Sequence, residues 1–326
     1  FLPIRRGNVW LSHLYGSWAN EGRLCQEALE PGMKVIKNKD GVRNSHTSHA
    51  EVMFSLDGKP QENAGCVIGA ALCYSGNYKL RIDTHDDEYH RFFAGINEEN
   101  SAYSLKKDEI FRTPELALTY SNEGLSGSSR NFHRWARLHK LAHGTVPRKI
   151  LLNSWEGVYF DVNQAGMDQM MSDIASMGGE LFVMDDGWFG DKYPRKNDSS
   201  SLGDWVVDKN KLPNGIEGLL KDAQKNGVKF GIWIEPEMAN TTSEFYEKHP
   251  DWVIKAPERD VVQGRGGTQV VLDLANPQVQ EFIFKIVDDL MSNYPEIDYI
   301  KWDANMSILN HGSNYLTKDN QSHMYI

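Results

Sequence analysis

The 326 residues, 37.1 kDa in all, exceed what one modest domain usually holds and exclude a peptide hormone or a small disulfide scaffold. Acidic side chains number 45 against 35 basic ones, a formal charge of −10 that leaves no basic field for a polyanion and argues against nucleic acid as a partner. Hydrophobic residues at 40% suffice for a core, while the longest weakly polar stretch, Gly65 to Tyr74, falls well short of the roughly 20 apolar residues a membrane helix needs.

From residue 1 to about 140 the pattern is short alternating runs cut by turn residues: Asn8 to Tyr15, Glu51 to Leu56 before Asp57-Gly58, and Tyr78 to Asp83. Period-2 alternation of this kind predicts antiparallel β structure, a sandwich. His46 and His49 have an i, i+3 spacing, but their surroundings read as strand or loop, so a structural role is expected. Cys25, Cys66 and Cys73 are odd in number and show no C-x-x-C spacing, which predicts buried free thiols instead of a disulfide framework. Between Ser128 and Ala142, Phe132, Trp135, Leu138 and Leu141 recur at helical spacing, predicting a connector helix that ends at His143-Gly144 and is closed by Pro147. The division expected from this change of pattern is 1–146, a β-sandwich with its connector, and 147–326.

After residue 148 the rhythm becomes strand, loop, helix. Strands are predicted at Lys149–Trp155, Glu180–Asp185, Val228–Ile234 and Ile297–Asp303, with helices near Gln164–Met177, Ile216–Asn226 and Gln278–Asn293. Repeated βα units imply a parallel sheet with helical cover. The residues able to do chemistry sit at the C-terminal end of each strand, where a (β/α)8 barrel builds its active site. Only four such units are present, half of what a closed barrel needs, so the chain is expected to be a piece of a longer one.

Side chains alternate along a strand, so Lys301 and Asp303 share a face while Trp302 points to the other. A lysine beside a carboxylate favours the ionised form, which suits a nucleophile; a plain ion pair is the competing reading. Asp185 and Asp186 end an apolar strand, where paired carboxylates need hydrogen-bond partners, and vicinal sugar hydroxyls would serve. A metal is disfavoured because no histidine joins the pair, and no cofactor is expected. Trp155, Trp188, Trp205 and Trp233 lie at or just after strand ends, where an indole face stacks on a pyranose. Arg265, in Gln263-Gly-Arg-Gly-Gly267, rides a loop free enough to bring a guanidinium to that site. Glu235 and Glu237 flank Pro236 on one short segment and cannot readily straddle a glycosidic bond, so both are read as loop-fixing groups.

The segments Arg6-Gly-Asn-Val-Trp10, Gly16-Ser-Trp-Ala-Asn-Glu-Gly-Arg23, Asn153-Ser-Trp-Glu-Gly157, Asp185-Asp-Gly-Trp-Phe-Gly190, Leu202-Gly-Asp-Trp-Val206, Trp233-Ile-Glu-Pro-Glu-Met238, His249-Pro-Asp-Trp-Val253 and Lys301-Trp-Asp-Ala-Asn305 resemble the bacterial α-galactosidases of glycoside hydrolase family 36. The resemblance implies an N-terminal β-supersandwich followed by the first half of a (β/α)8 barrel, and a retaining exo-acting hydrolase of galactose-containing oligosaccharides such as melibiose and raffinose. It further implies Asp303 as nucleophile, Asp185 and Asp186 as holders of galactose hydroxyls, Lys301, Arg265, Trp155 and Trp205 lining the same subsite, and, at full length, a homo-oligomer such as a tetramer. The family's acid/base aspartate, in a Trp-Thr-Ser-Asp segment, has no counterpart in these residues, and this chain alone is expected to be inactive. Where many members read Lys-Trp-Asp-Met-Asn-Arg, this chain has Asp303-Ala-Asn-Met306. An α-N-acetylgalactosaminidase, a transglycosylase of the raffinose-synthase type and a non-catalytic carbohydrate binder are the alternatives, and the compartment stays open among cytoplasmic, periplasmic and secreted.

Overall fold

The structure is a computed structural model that describes residues 2–41, 46–85, 88–99, 101–308 and 310–321. Two compact units meet in sequence at Pro147 and Arg148. Asn44 and Ser45, beside the His46 and His49 pattern, lie outside the described residues.

In the first unit the strands are β1 (Leu2–Arg5), β2 (Trp10–Tyr15), β3 (Arg23–Ala28), β4 (Gly32–Lys37), β5 (Ser48–Ser55), β6 (Val67–Cys73), β7 (Tyr78–Thr84), β8 (Tyr89–Ile96) and β9 (Glu115–Ser121). They form two antiparallel sheets, β1-β8-β7-β4 and β3-β2-β5-β6-β9. Alternation decides what each strand buries: in β7, Tyr78, Leu80, Ile82 and Thr84 point inward while the residues between them stay half-exposed. Leu11, Val52 and Phe54 from one sheet and Ile36, Leu80 and Phe92 from the other make a single core, with the Phe54 and Phe92 rings edge-to-face at 5.2 Å. The three predicted runs fall on β2, β5 and β7. All three cysteines are free, as expected, but none is buried: Cys25 and Cys66 are half-buried and Cys73 is exposed.

The connector helix differs from its sequence reading. It is α1 (Gly124–Trp135), continued by one π turn, Ala136–Lys140. It starts four residues before Ser128 because its first turns bury the small residues Gly124, Gly127 and Ser128, which carry no apolar period to read.

The second unit begins β10 (Leu151–Asn153), α2 (Trp155–Val158), α3 (Gln164–Ser176), β11 (Leu181–Met184), α4 (Gly215–Asn226) and β12 (Lys229–Ile234). It continues with β13 (Met238–Asn240), α5 (Glu244–Lys248), β14 (Gln269–Val271), α6 (Pro277–Asn293) and β15 (Ile297–Trp302). The main sheet is β10-β11-β12-β15, every pair parallel, as the four predicted βα units require. It is the wall of a barrel left open at β10 and β15. Caps mark the helix starts: Asn163 accepts from the Gly166 N–H, Asn276 from the Gln278 N–H, and Pro277 occupies the first turn of α6. Phe182, Met184, Phe230 and Ile232 pack with Met167, Met171, Ile216, Leu219 and Ile286 of the helices. Ile300 joins that helix-side core, so Tyr299, Lys301 and Asp303 project to the opposite face. The register slips by one between β12 and β15, leaving Asp298 as the extra residue. Lys149, ahead of β10, reaches Asp298 at 2.6 Å, a contact across three strand spacings that flat strands about 4.8 Å apart would discourage and a curled wall permits. The antiparallel pair β13 and β14 was not foreseen; with α5 it encloses a small core of Ala239, Phe245, Val253, Val270 and Leu272. No helix among the described residues is long and apolar enough to cross a membrane.

Candidate active site

The strand ends bring Asp185, Lys301 and Asp303 to one side of the sheet. Asn153, the last residue of β10, donates its amide to Asp185 Oδ2 at 2.6 Å and accepts the Trp155 N–H at 2.8 Å. Lys301 Nζ stands 2.7 Å from the same Asp185 oxygen. The lysine therefore pairs with Asp185, two strands away, and not with its strand neighbour Asp303 as strand alternation suggested. The Asp185 side chain is 3% exposed and that of Lys301 37%, so the ammonium forms the solvent side of the pair.

Asp303 is held by other donors. Its Oδ2 accepts from the Trp233 indole at 3.1 Å and from the Asn305 amide at 2.7 Å, its Oδ1 from the Ala304 N–H at 3.1 Å. The Asp303 N–H extends the ladder to the Ile234 carbonyl at 2.8 Å. Three donors on one carboxylate fix its direction, which a nucleophile needs more than it needs basicity.

Asp186 has a different environment from its neighbour. Arg195, fully buried, grips it with both edges of the fork: Nε to Oδ1 at 2.9 Å and Nη2 to Oδ2 at 2.7 Å. The rest of that guanidinium donates to the Ser200 carbonyl and to Asn240 Oδ1. Burial pushes the Asp186 carboxyl up from its ordinary value, against the pull of Arg195. Lys211 braces the surrounding loop by donating to the carbonyls of Phe160, Gly187 and Arg195 at 2.6 to 2.7 Å. Arg265 joins the edge of this network: its Nη2 lies 3.4 Å from Asp198, which also faces Arg195 at 3.7 Å. Its short 3-10 turn is possible because Gly266 has φ 62° and a Cβ there would meet the Asp198 backbone at 2.8 Å.

The tryptophans divide. Trp155, half-buried at the start of α2, meets Tyr159 and Phe160 edge-to-face at 5.2 and 5.0 Å. Trp205 is half-buried against Trp188, Phe189 and Trp233, with its ring nitrogen buried and unpartnered. Trp188 and Trp233 are core residues, 0% and 2% exposed, and the Trp188 indole donates to the Trp233 carbonyl. Trp233 thus acts on the site through its edge, with no face free to stack.

The sequence reading passes over Arg195 and the contacts of Asn305, and takes Glu235 as a loop-fixing group. Nothing in the polar loop around Arg195 marks it. The place of Glu235 beside Asp303 was open to inference, since it continues the alternation of Trp233. It is 1% exposed, accepts the Asn305 N–H at 2.6 Å, and is pushed up to about 8 by burial first and by the Asp303 charge second. Its partner on the segment, Glu237, accepts from the Trp302 indole at 2.8 Å. As to metals, the group of described residues able to converge ligand atoms within 4.8 Å is His13, Cys25 and Glu27 in the first unit, and there Lys34 Nζ already sits 2.5 Å from Glu27 Oε1.

The family model described as Melibiase matches residues 110–326, and the glycosyl hydrolase family 36 N-terminal domain matches residues 1–106. The chain belongs to glycoside hydrolase family 36. It is 36% identical over 323 residues to alpha-galactosidase AgaA of Geobacillus stearothermophilus, covering 97% of this chain and 43% of that protein. Alpha-galactosidase C of Emericella nidulans is 38% identical over 308 residues, covering 91% of this chain and 40% of that protein. The AgaA crystal structure superposes with a TM-score of 0.92 at 35% identity, over 98% of this chain and 44% of that one. Variants of AgaA have been solved in complex with raffinose and with stachyose. The family 36 chain described here spans less than half the length of these relatives.

Proposed function

We propose that the protein carrying this chain is a retaining, exo-acting α-galactosidase that removes terminal α-linked galactose from oligosaccharides of the melibiose and raffinose type. The observation that carries it is the division of labour among carboxylates: Asp303 is aimed by Trp233, Asn305 and Ala304, while Asp185 is tied to Lys301 and Asn153. In the mechanism, Asp303 attacks the anomeric carbon while an acid protonates the leaving oxygen. Water, deprotonated by that acid's conjugate base, then attacks the anomeric carbon, the bond to Asp303 breaks to return its carboxylate, and galactose is released. Asp185 and Lys301 offer an acceptor and a donor to adjacent hydroxyls. Both Asp186 oxygens already receive Arg195, so Asp186 is left the smaller share of hydroxyl binding. Trp155, Trp205 and Arg265 are proposed to line the same subsite, and Arg265, 46% exposed, would exchange its contact with Asp198 for one to substrate. AgaA's complexes with raffinose and stachyose support the oligosaccharide class. The division into domains 1–146 and 147–326 and assembly as a homo-oligomer belong to the same proposal, the latter read by light scattering.

NMR of the sugar first released from an aryl α-galactoside tests the mechanism. The α-anomer is expected first; the β-anomer would sink retention. Turnover of the N-acetylgalactosaminide in its place would shift the substrate class, and binding without turnover would leave a carbohydrate-binding relative.

A further inference from the structure

Two contacts join the end of β12 to the segment after β15. The Ile234 carbonyl accepts the Asp303 N–H at 2.8 Å, and Glu235 Oε1 accepts the Asn305 N–H at 2.6 Å. Asn305 then turns its side-chain amide back onto Asp303 Oδ2 at 2.7 Å. A glutamate 1% exposed is a costly way to satisfy one N–H, because a buried carboxyl needs several partners or a proton.

We infer that Glu235 is a positioning residue for the reaction, fixing Asn305 and through it the direction of the Asp303 carboxylate. The inference rests on the reading of Asp303 as nucleophile. An ionised Glu235 would set a second negative charge beside that nucleophile, and two carboxylates so placed resist joint ionisation. The charged groups that face it are Asp303 after β15, Asp186 after β11 and Arg195; both aspartates raise its pKa and Arg195 lowers it. With burial added the value reaches about 8, so Glu235 is neutral through the slightly acid to neutral range. Below that value it is a clamp without a charge. Above it, the clamp repels what it holds.

The whole protein with Glu235→Ala and Glu235→Gln replacements tests this. Loss of the clamp in Glu235→Ala should lower kcat on an aryl α-galactoside about 100-fold with KM little changed, since Asp185 and Lys301 are untouched. Glu235→Gln restores an acceptor oxygen and should recover most of that loss. As pH rises through about 8, wild type should lose rate that Glu235→Gln keeps. Equal loss in the two variants, or the same basic limb with and without the carboxyl, would overturn the inference. Crystal structures read it independently of turnover: Asn305 should leave hydrogen-bond reach of Asp303 in Glu235→Ala and stay in Glu235→Gln. An undisplaced Asn305 in the alanine variant ends the proposal whatever the rates. A wild type that releases no galactose overturns the proposed function instead, and the two structures still decide the clamp. If Glu235→Ala does not fold, the basic limb of Glu235→Gln decides alone.

Discussion

Arg195 shows how much one buried side chain does at this site. With no exposed surface it neutralises Asp186, satisfies the Ser200 carbonyl and meets Asn240. Removing one member of a buried pair strands the other, at a cost of about 3–5 kcal/mol. Arg195→Met should therefore lower unfolding free energy in urea by that order, and the double variant Arg195→Met, Asp186→Asn should regain part of it. Additive losses would show that the two do not act as a pair. The sequence marked Asp186 because it ended an apolar strand next to Asp185, but not its partner, since Lys192-Tyr-Pro-Arg-Lys-Asn197 reads as a polar loop. Long-range pairing leaves no local period. The same limit explains Lys301: alternation put it on the face of Asp303, yet its partner comes from β11, a choice made by curvature between strands and not by spacing within one.

Elements were more legible than contacts wherever burial imposed a period. Of the four parallel strands β11 and β12 stood out most, as buried apolar runs that lead into Asp185 and Glu235, because a strand covered by helices has little room for polar residues until it emerges. β13 and β14 were invisible at three residues each, too short to show alternation. Within the sheet, Gly231 sets how closely β12 and β15 approach: a Cβ there would lie 2.9 Å from the Tyr299 carbonyl oxygen and 3.0 Å from Val183 Cγ2. Those are backbone and strand neighbours that cannot swing aside. Gly231→Ala should cost about 1–3 kcal/mol and, because Lys301 and Asp303 ride on or just past β15, should weaken the Lys301 to Asp185 contact as well. Wild-type stability and turnover in that variant would mean the two strands separate more freely than their packing implies.

At the scale of the whole molecule every sheet keeps two edges: β1, β4, β3 and β9 in the two facing sheets of the first unit, and β10 and β15 in the main sheet of the second, have one hydrogen-bonded neighbour each. Leu151, Tyr299 and Trp302 on the last two strands are 40%, 44% and 46% exposed. For this chain by itself, amides of β11 and β12 should exchange with deuterium more slowly than those of β10 and β15, as read by mass spectrometry of peptides. Equal protection would mean that something covers both edges, and light scattering would say whether it is a second copy.

The indole that aims Asp303 is also a chromophore. Excitation moves electron density from the pyrrole ring of tryptophan toward the benzene ring, so a negative charge at the ring nitrogen lowers the energy of the emitting state. Trp233 has that charge 3.1 Å from its Nε1. In the proposed mechanism Asp303 becomes an ester in the covalent intermediate; the charge then disappears, and emission from Trp233 should shift to the blue. Nine tryptophans contribute to the total signal, so the shift is isolated as the difference from Trp233→Phe. The hydrogen bond that holds Asp303 would thereby give the occupancy of the proposed nucleophile an optical readout, with no label attached.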